Sequence, residues 1–129
     1  YKQHVPIHTK KYVKKYMTEH NKIVEEKITQ ILTQPQQANL KTALEKDHAI
    51  DCLLLLYTNR GRWKEAKTYM QKNSLTISDA AFRCRMNKFE ALDLAKSEKI
   101  DPLKKQYLIT PKGKKIAEQI LEFFDNLTL

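Results

Sequence analysis

From Thr9 to Leu32 apolar residues return at intervals of mostly three and four, at Val13, Tyr16, Met17, Val24, Ile28, Ile31 and Leu32, with lysines and glutamates between them. That period predicts one long amphipathic helix. Gln34-Pro35-Gln36-Gln37 interrupts it and predicts a linker. Asn39 or Thr42 offers a cap for a second helix, which runs through the apolar block Ala49 to Tyr57 and stops at Asn59-Arg60-Gly61. Gly61 is expected to take the left-handed conformation that ends it. This helix is apolar over most of its surface and belongs at the core. Trp63 to Gln71 predicts a third helix with Trp63, Ala66, Lys67 and Met70 on one side, broken by Lys72-Asn73-Ser74, and Leu75 is expected to anchor the turn that follows.

Ser78 is a good cap for a fourth helix, Asp79 to Leu92, where Asp79 suits the positive helix start and Phe82, Met86 and Phe89 recur at helical spacing and turn inward. After Asp93 the pattern shortens to two extended pieces, Leu94 to Ile100 and Gln106 to Ile109, with Asp101-Pro102-Leu103-Lys104-Lys105 as the exposed tip of a β-hairpin. Thr110-Pro111 supplies a cap followed by proline at the first helical position. The last helix carries Ile116, Ile120, Phe123, Phe124 and Leu127 along one side. The fold class is therefore mainly α with a small β-hairpin. Residues 1–38 are read as a basic amphipathic helix with its linker, and 39–129 as the folded domain.

Composition narrows the function. In 129 residues, 24 Lys and Arg face 15 Asp and Glu, a formal charge of +9, and the excess is largest in the N-terminal part. The hydrophobic share of 41% suffices for one core, and 2 Gly with 4 Pro leave no room for glycine-rich phosphate loops or a β-sandwich. The longest apolar run, Cys52 to Tyr57, is too short to span a bilayer. Cys52 and Cys84 form no Cys-x-x-Cys pair, which argues against a disulfide scaffold or a four-ligand zinc site and for a reducing, cytoplasmic setting. The chain begins at Tyr1, not Met, so an N-terminal piece is expected to precede it. His4 and His8 stand four apart without a third ligand nearby. No triad spacing, paired carboxylates or nucleotide loop appears, so neither an enzyme nor a bound cofactor is expected.

The order of helix, helix, turn, helix, basic hairpin and helix resembles a winged helix-turn-helix, and the residues sharpen the likeness. The stretch from Leu75-Thr76-Ile77-Ser78 to Asp93-Leu94 looks like the recognition helix of the MarR/PadR/ArsR-like transcription regulators of bacteria and archaea. Their Leu-Thr-Pro-x-Gly sequence after the wing is matched by Ile109-Thr110-Pro111-Lys112-Gly113. The resemblance covers Asp47 to Leu129. It departs at Asp93, where the family usually has glycine, and in the long basic N-terminal helix, which matches no part of it. The resemblance implies sequence-specific binding of double-stranded DNA, nucleoid association and transcriptional regulation.

Helical geometry supplies the candidate contacts. With Phe82, Met86 and Phe89 inward, Ala80, Cys84, Asn87 and Ala91 lie opposite and Arg83 and Lys88 flank them. Small residues admit close approach to base edges, arginine suits guanine and asparagine suits adenine, so Arg83, Asn87, Ala80 and Cys84 are the expected base contacts. Thr76, Ser78, Lys88, Lys99, Lys104, Lys105 and Gln106 are the expected phosphate contacts. Lys10, Lys11, Lys14 and Lys15, interleaved with Tyr12 and Tyr16, form a possible basic arm. Ile116, Ile120, Phe123, Phe124 and Leu127 are the expected interface of a homodimer, with Val24, Ile28 and Ile31 as possible additions. Cys84, between Arg83 and Arg85, is also a weaker candidate for a redox switch, whereas Cys52 belongs to the core. Three other readings compete: an ordinary solvated helix face, a DNA partition or replication protein, and a winged-helix module that binds protein.

Overall fold

The computed structural model describes residues 7–127, with side chains from residue 18 onward. Its elements, in chain order, are α1 (Ile7–Thr33), α2 (Pro35–Leu44), α3 (Ala49–Tyr57), α4 (Trp63–Lys72), α5 (Asp79–Ala91), β1 (Ala95–Asp101), β2 (Lys104–Ile109) and α6 (Pro111–Leu127). The described residues are thus mainly helical, with one antiparallel hairpin between α5 and α6. None of these helices is long and apolar enough to cross a membrane. The chain divides into two compact units between Lys41 and Thr42.

In the first unit the expected linker at Gln34–Gln37 is absent. The Gln34 N–H still reaches Gln30 O at 2.9 Å, and Gln34 O accepts from the Ala38 N–H at 2.9 Å. Pro35 therefore opens a helix, because the first helical position has no intrahelical use for the N–H that proline lacks. Along α1, Val24, Ile28, Ile31 and Leu32 form an exposed apolar stripe.

The second helix expected from the sequence is likewise two helices. His48 adopts φ 61°, and this left-handed residue separates α2 from α3, with its Nδ1 3.1 Å from Asp51 Oδ2. At the far end of α3 it is Asn59, not Gly61, that takes positive φ. Gly61 is needed for a different reason. Its carbonyl accepts the Tyr107 N–H at 3.0 Å, and a Cβ there would lie 1.8 Å from Tyr107 O. Only a residue without a side chain lets the loop run this close beside β2.

The core of the second unit gathers Cys52, Leu53, Leu55 and Leu56 of α3, Ala66 and Met70 of α4, and Phe82, Met86 and Phe89 of α5, with Leu94 and Ala117 closing it. Each large side chain removed from water this way stabilises by about 1.5–3 kcal/mol before conformational entropy is subtracted. Burial pushes the Cys52 thiol up to about 12. Lys67 is exposed and Trp63 half-buried, so the inward side of α4 is narrower than the period suggested. Leu75 is 39% exposed, and Ile77, at 8%, anchors the turn instead. The chain reverses at Ser74, which has φ 61°, and the Leu75 N–H closes on Met70 O at 2.8 Å.

α5 ends on Asp93 at φ 62°, with the Leu94 N–H reaching back to Phe89 O at 2.8 Å. Asp is one of the few side chains that tolerates this conformation. The Thr110 hydroxyl donates to Asp93 O at 2.6 Å and accepts from the Gly113 N–H at 3.1 Å, while the Thr110 N–H donates to Leu94 O at 3.0 Å. The Thr-Pro-x-Gly sequence therefore fastens the end of α5, the base of the hairpin and the start of α6 at one point. A second tie joins β1 to α5: the Ser97 hydroxyl and N–H donate to Glu90 Oε2 at 2.7 and 3.1 Å and hold that carboxyl below its usual range. In the hairpin Ala95 faces Ile109 and Lys99 faces Lys105, with an irregularity between Lys99 and Asp101. The turn is tighter than expected, since Lys104 and Lys105 belong to β2 and only Pro102 and Leu103 remain at the tip.

Candidate nucleic-acid interface

The surface is built outward from α5. The Ser78 hydroxyl accepts the Ala81 N–H at 3.0 Å and starts the helix in the register that buries Phe82, Met86 and Phe89. Ala80, Cys84, Asn87 and Ala91 are consequently exposed, as are Arg83 and Lys88. Thr76 and Ser78 are exposed just before the helix. Lys88, Lys99, Lys104 and Lys105 are exposed too, and none lies within ion-pair distance of a carboxylate among the described residues. The Lys105 ammonium sits 5.1 Å from the centre of the Tyr107 ring. Gln106 is half-buried and donates to Glu98 Oε1 at 2.8 Å across the hairpin.

Two of the four residues expected to contact bases, Arg83 and Asn87, already have partners. The Arg83 guanidinium donates through Nε to Asp79 Oδ1 at 3.0 Å and through its second nitrogen to Asp79 Oδ2. This pair lies at the surface, with the Arg83 side chain 66% exposed. Asn87 Oδ1 accepts from the Tyr107 hydroxyl at 3.1 Å, which joins α5 to β2 and fixes the amide. One lone pair of that oxygen and both amide hydrogens remain for other partners.

Between α5, the start of α4 and the hairpin lies a cleft of about 530 Å³. Its aromatic wall is Trp63, Phe82 and Tyr107, with ring centres 5.3 Å apart for the first pair and 6.3 Å for the second. Arg83, Asn87, Lys104 and Lys105 meet there. Ala80, Cys84, Thr76, Ser78, Lys88, Lys99 and Gln106 do not line it. Sequence reasoning missed Arg62, Trp63, Lys64 and Tyr107 as site residues. The available signal was the run Arg60-Gly61-Arg62-Trp63-Lys64, three cations around one aromatic residue.

The remaining sequence expectations fall elsewhere. The side chains of Lys10, Lys11, Lys14 and Lys15 lie outside the described residues, as do His4 and the His8 side chain. Among the described residues no three His, Cys, Asp or Glu side chains are placed to hold a metal ion. On α6, Ile116 and Ile120 are half-buried, whereas Phe123, Phe124 and Leu127 are exposed by 59%, 46% and 64%. Set against protein-family models, curated proteins and solved structures, the chain has no match.

Proposed function

We propose that the chain is a winged-helix protein that binds double-stranded DNA in a sequence-specific way, as a homodimeric transcriptional regulator. α5 enters the major groove, with Arg83 and Asn87 reading bases and Ala80 and Cys84 giving clearance. Thr76, Ser78, Lys88, Lys99, Lys104, Lys105 and Gln106 hold phosphates on either side. One observation carries the reading: a serine-capped helix with a small, polar outer face stands beside a hairpin whose lysines form no ion pair among the described residues. A net charge of +9 supports the electrostatic part.

Binding under this scheme neutralises phosphates and releases counterions, so affinity falls steeply with salt. Fluorescence anisotropy of a random 30-base-pair duplex at several salt concentrations tests it, with light scattering on the same sample. Salt-dependent binding by a dimer is expected. Absence of binding at low salt overturns the reading and favours a protein-binding module. Once a site is selected, Arg83→Ala should weaken it by about tenfold or more while leaving random DNA nearly unchanged. Equal loss on both sequences removes Arg83 from base reading.

A further inference from the structure

We propose that the cleft between α4, α5 and the hairpin is a nucleotide site, one that takes an aromatic base together with its phosphate. The inference concerns a single nucleotide unit: it shares Arg83, Asn87, Lys104 and Lys105 with the duplex reading but does not depend on it.

Three features of the cleft point to that chemistry. Its volume, about 530 Å³, falls in the range of small-molecule sites. Its wall is aromatic: Phe82 is buried, Trp63 packs against it at 5.3 Å, and Trp63 itself stays half-exposed at the cleft. A base stacked on an indole is held without regard to its identity. Its rim is cationic beyond what its carboxylates neutralise. Arg62, Lys64, Arg83, Lys104 and Lys105 line it against Asp79 alone. Asp79 clasps Arg83, and Glu65 lies 3.8 Å from Arg62 Nε. Lys64, Lys104 and Lys105 stand in no ion pair among the described residues, and the Lys105 ammonium lies over the Tyr107 ring at the cleft. A purely apolar ligand leaves these ammonium groups without an anion, and a bare anion leaves the indole unused. A base joined to phosphate satisfies both.

The protein carries its own probe, since Trp63 is its single tryptophan. Deoxyadenosine monophosphate, deoxyadenosine and inorganic phosphate are titrated separately into the full chain while Trp63 emission is followed. The monophosphate is expected to give a saturable change, with both halves binding at least about tenfold more weakly. Lys104→Gln and Lys105→Gln, both at exposed positions, should each weaken monophosphate binding several-fold with unchanged circular dichroism. No saturable change overturns the proposal, as does phosphate binding as well as the monophosphate, or unaltered binding in both variants. A short oligodeoxyadenylate then separates the two sources of the ligand. Equal affinity per molecule identifies a free nucleotide, and a steep gain identifies an unpaired strand, both within the proposal. A chain that binds the monophosphate but no duplex keeps this site and loses the DNA reading, and the reverse outcome does the opposite.

Discussion

Arg83 shows how a surface residue can be committed before any partner arrives. Its fork is held on both carboxylate oxygens of Asp79, one turn earlier on the same helix. An exposed pair of this kind gains little over solvation, so a phosphate or guanine can exchange for the carboxylate at small cost. On the proposed reading Asp79 acts as a competitor within the chain. Asp79→Asn should therefore strengthen duplex binding several-fold at low salt, with the gain shrinking as salt rises, and should slightly lower thermal stability because a negative charge leaves the first turn of α5. Anisotropy and a thermal melt on the same preparation check both parts, and weaker binding by the variant excludes the competition. The Asp79–Arg83 spacing is visible in the sequence as an i, i+4 pair. Its consequence for base reading is not, because helical spacing does not report whether the guanidinium closes on Asp79 or stays in solvent.

At the scale of elements, the boundaries that carry chemical punctuation were legible. Ser78 and the Phe82, Met86 and Phe89 spacing place α5 within a residue of its observed ends, and Thr110-Pro111 places the observed start of α6. Two boundaries were not. Gln34-Pro35 has the composition of a breaker, yet proline that ends one helix can start the next. His48 carries no turn signal, and only the packed structure shows it at φ 61°. The cleft was illegible for a stronger reason. It is assembled from residues 62–64, 79–87 and 103–107, and no local pattern reports that these segments meet. The junction at Gly113 offers a test of how firmly they are fastened. A Cβ there would stand 2.2 Å from Leu94 O, so Gly113→Ala must displace backbone and should cost about 1–3 kcal/mol in chemical denaturation. Lys114→Ala, on the exposed side of α6, should stay within about 0.5 kcal/mol. Similar midpoints for the two variants would show that the junction yields.

At the scale of the whole molecule, the outstanding feature is apolar surface without cover. The last turns of α6 leave Phe123, Phe124 and Leu127 exposed, with the two phenyl rings in edge contact at 5.3 Å. Covering this stripe with a second copy is the part of the proposed function that light scattering decides. Phe123→Glu places a charge in the stripe without touching the core, so it should turn a dimer into a monomer and shallow the salt dependence of duplex binding. An undiminished mass in the variant moves the interface away from α6. One feature of the fold bears on how such a protein would choose among sequences. The carbonyls of Asp93 and Leu94, held by Thr110, lock α5 to both strands of the hairpin. The base of the hairpin is thus fastened to the end of α5. On the proposed reading, helix and hairpin would meet a duplex as one piece, part of the adjustment would fall to the DNA, and the energy of bending it depends on its base steps. Sites would then be ranked partly by how easily they bend, including at positions no side chain touches.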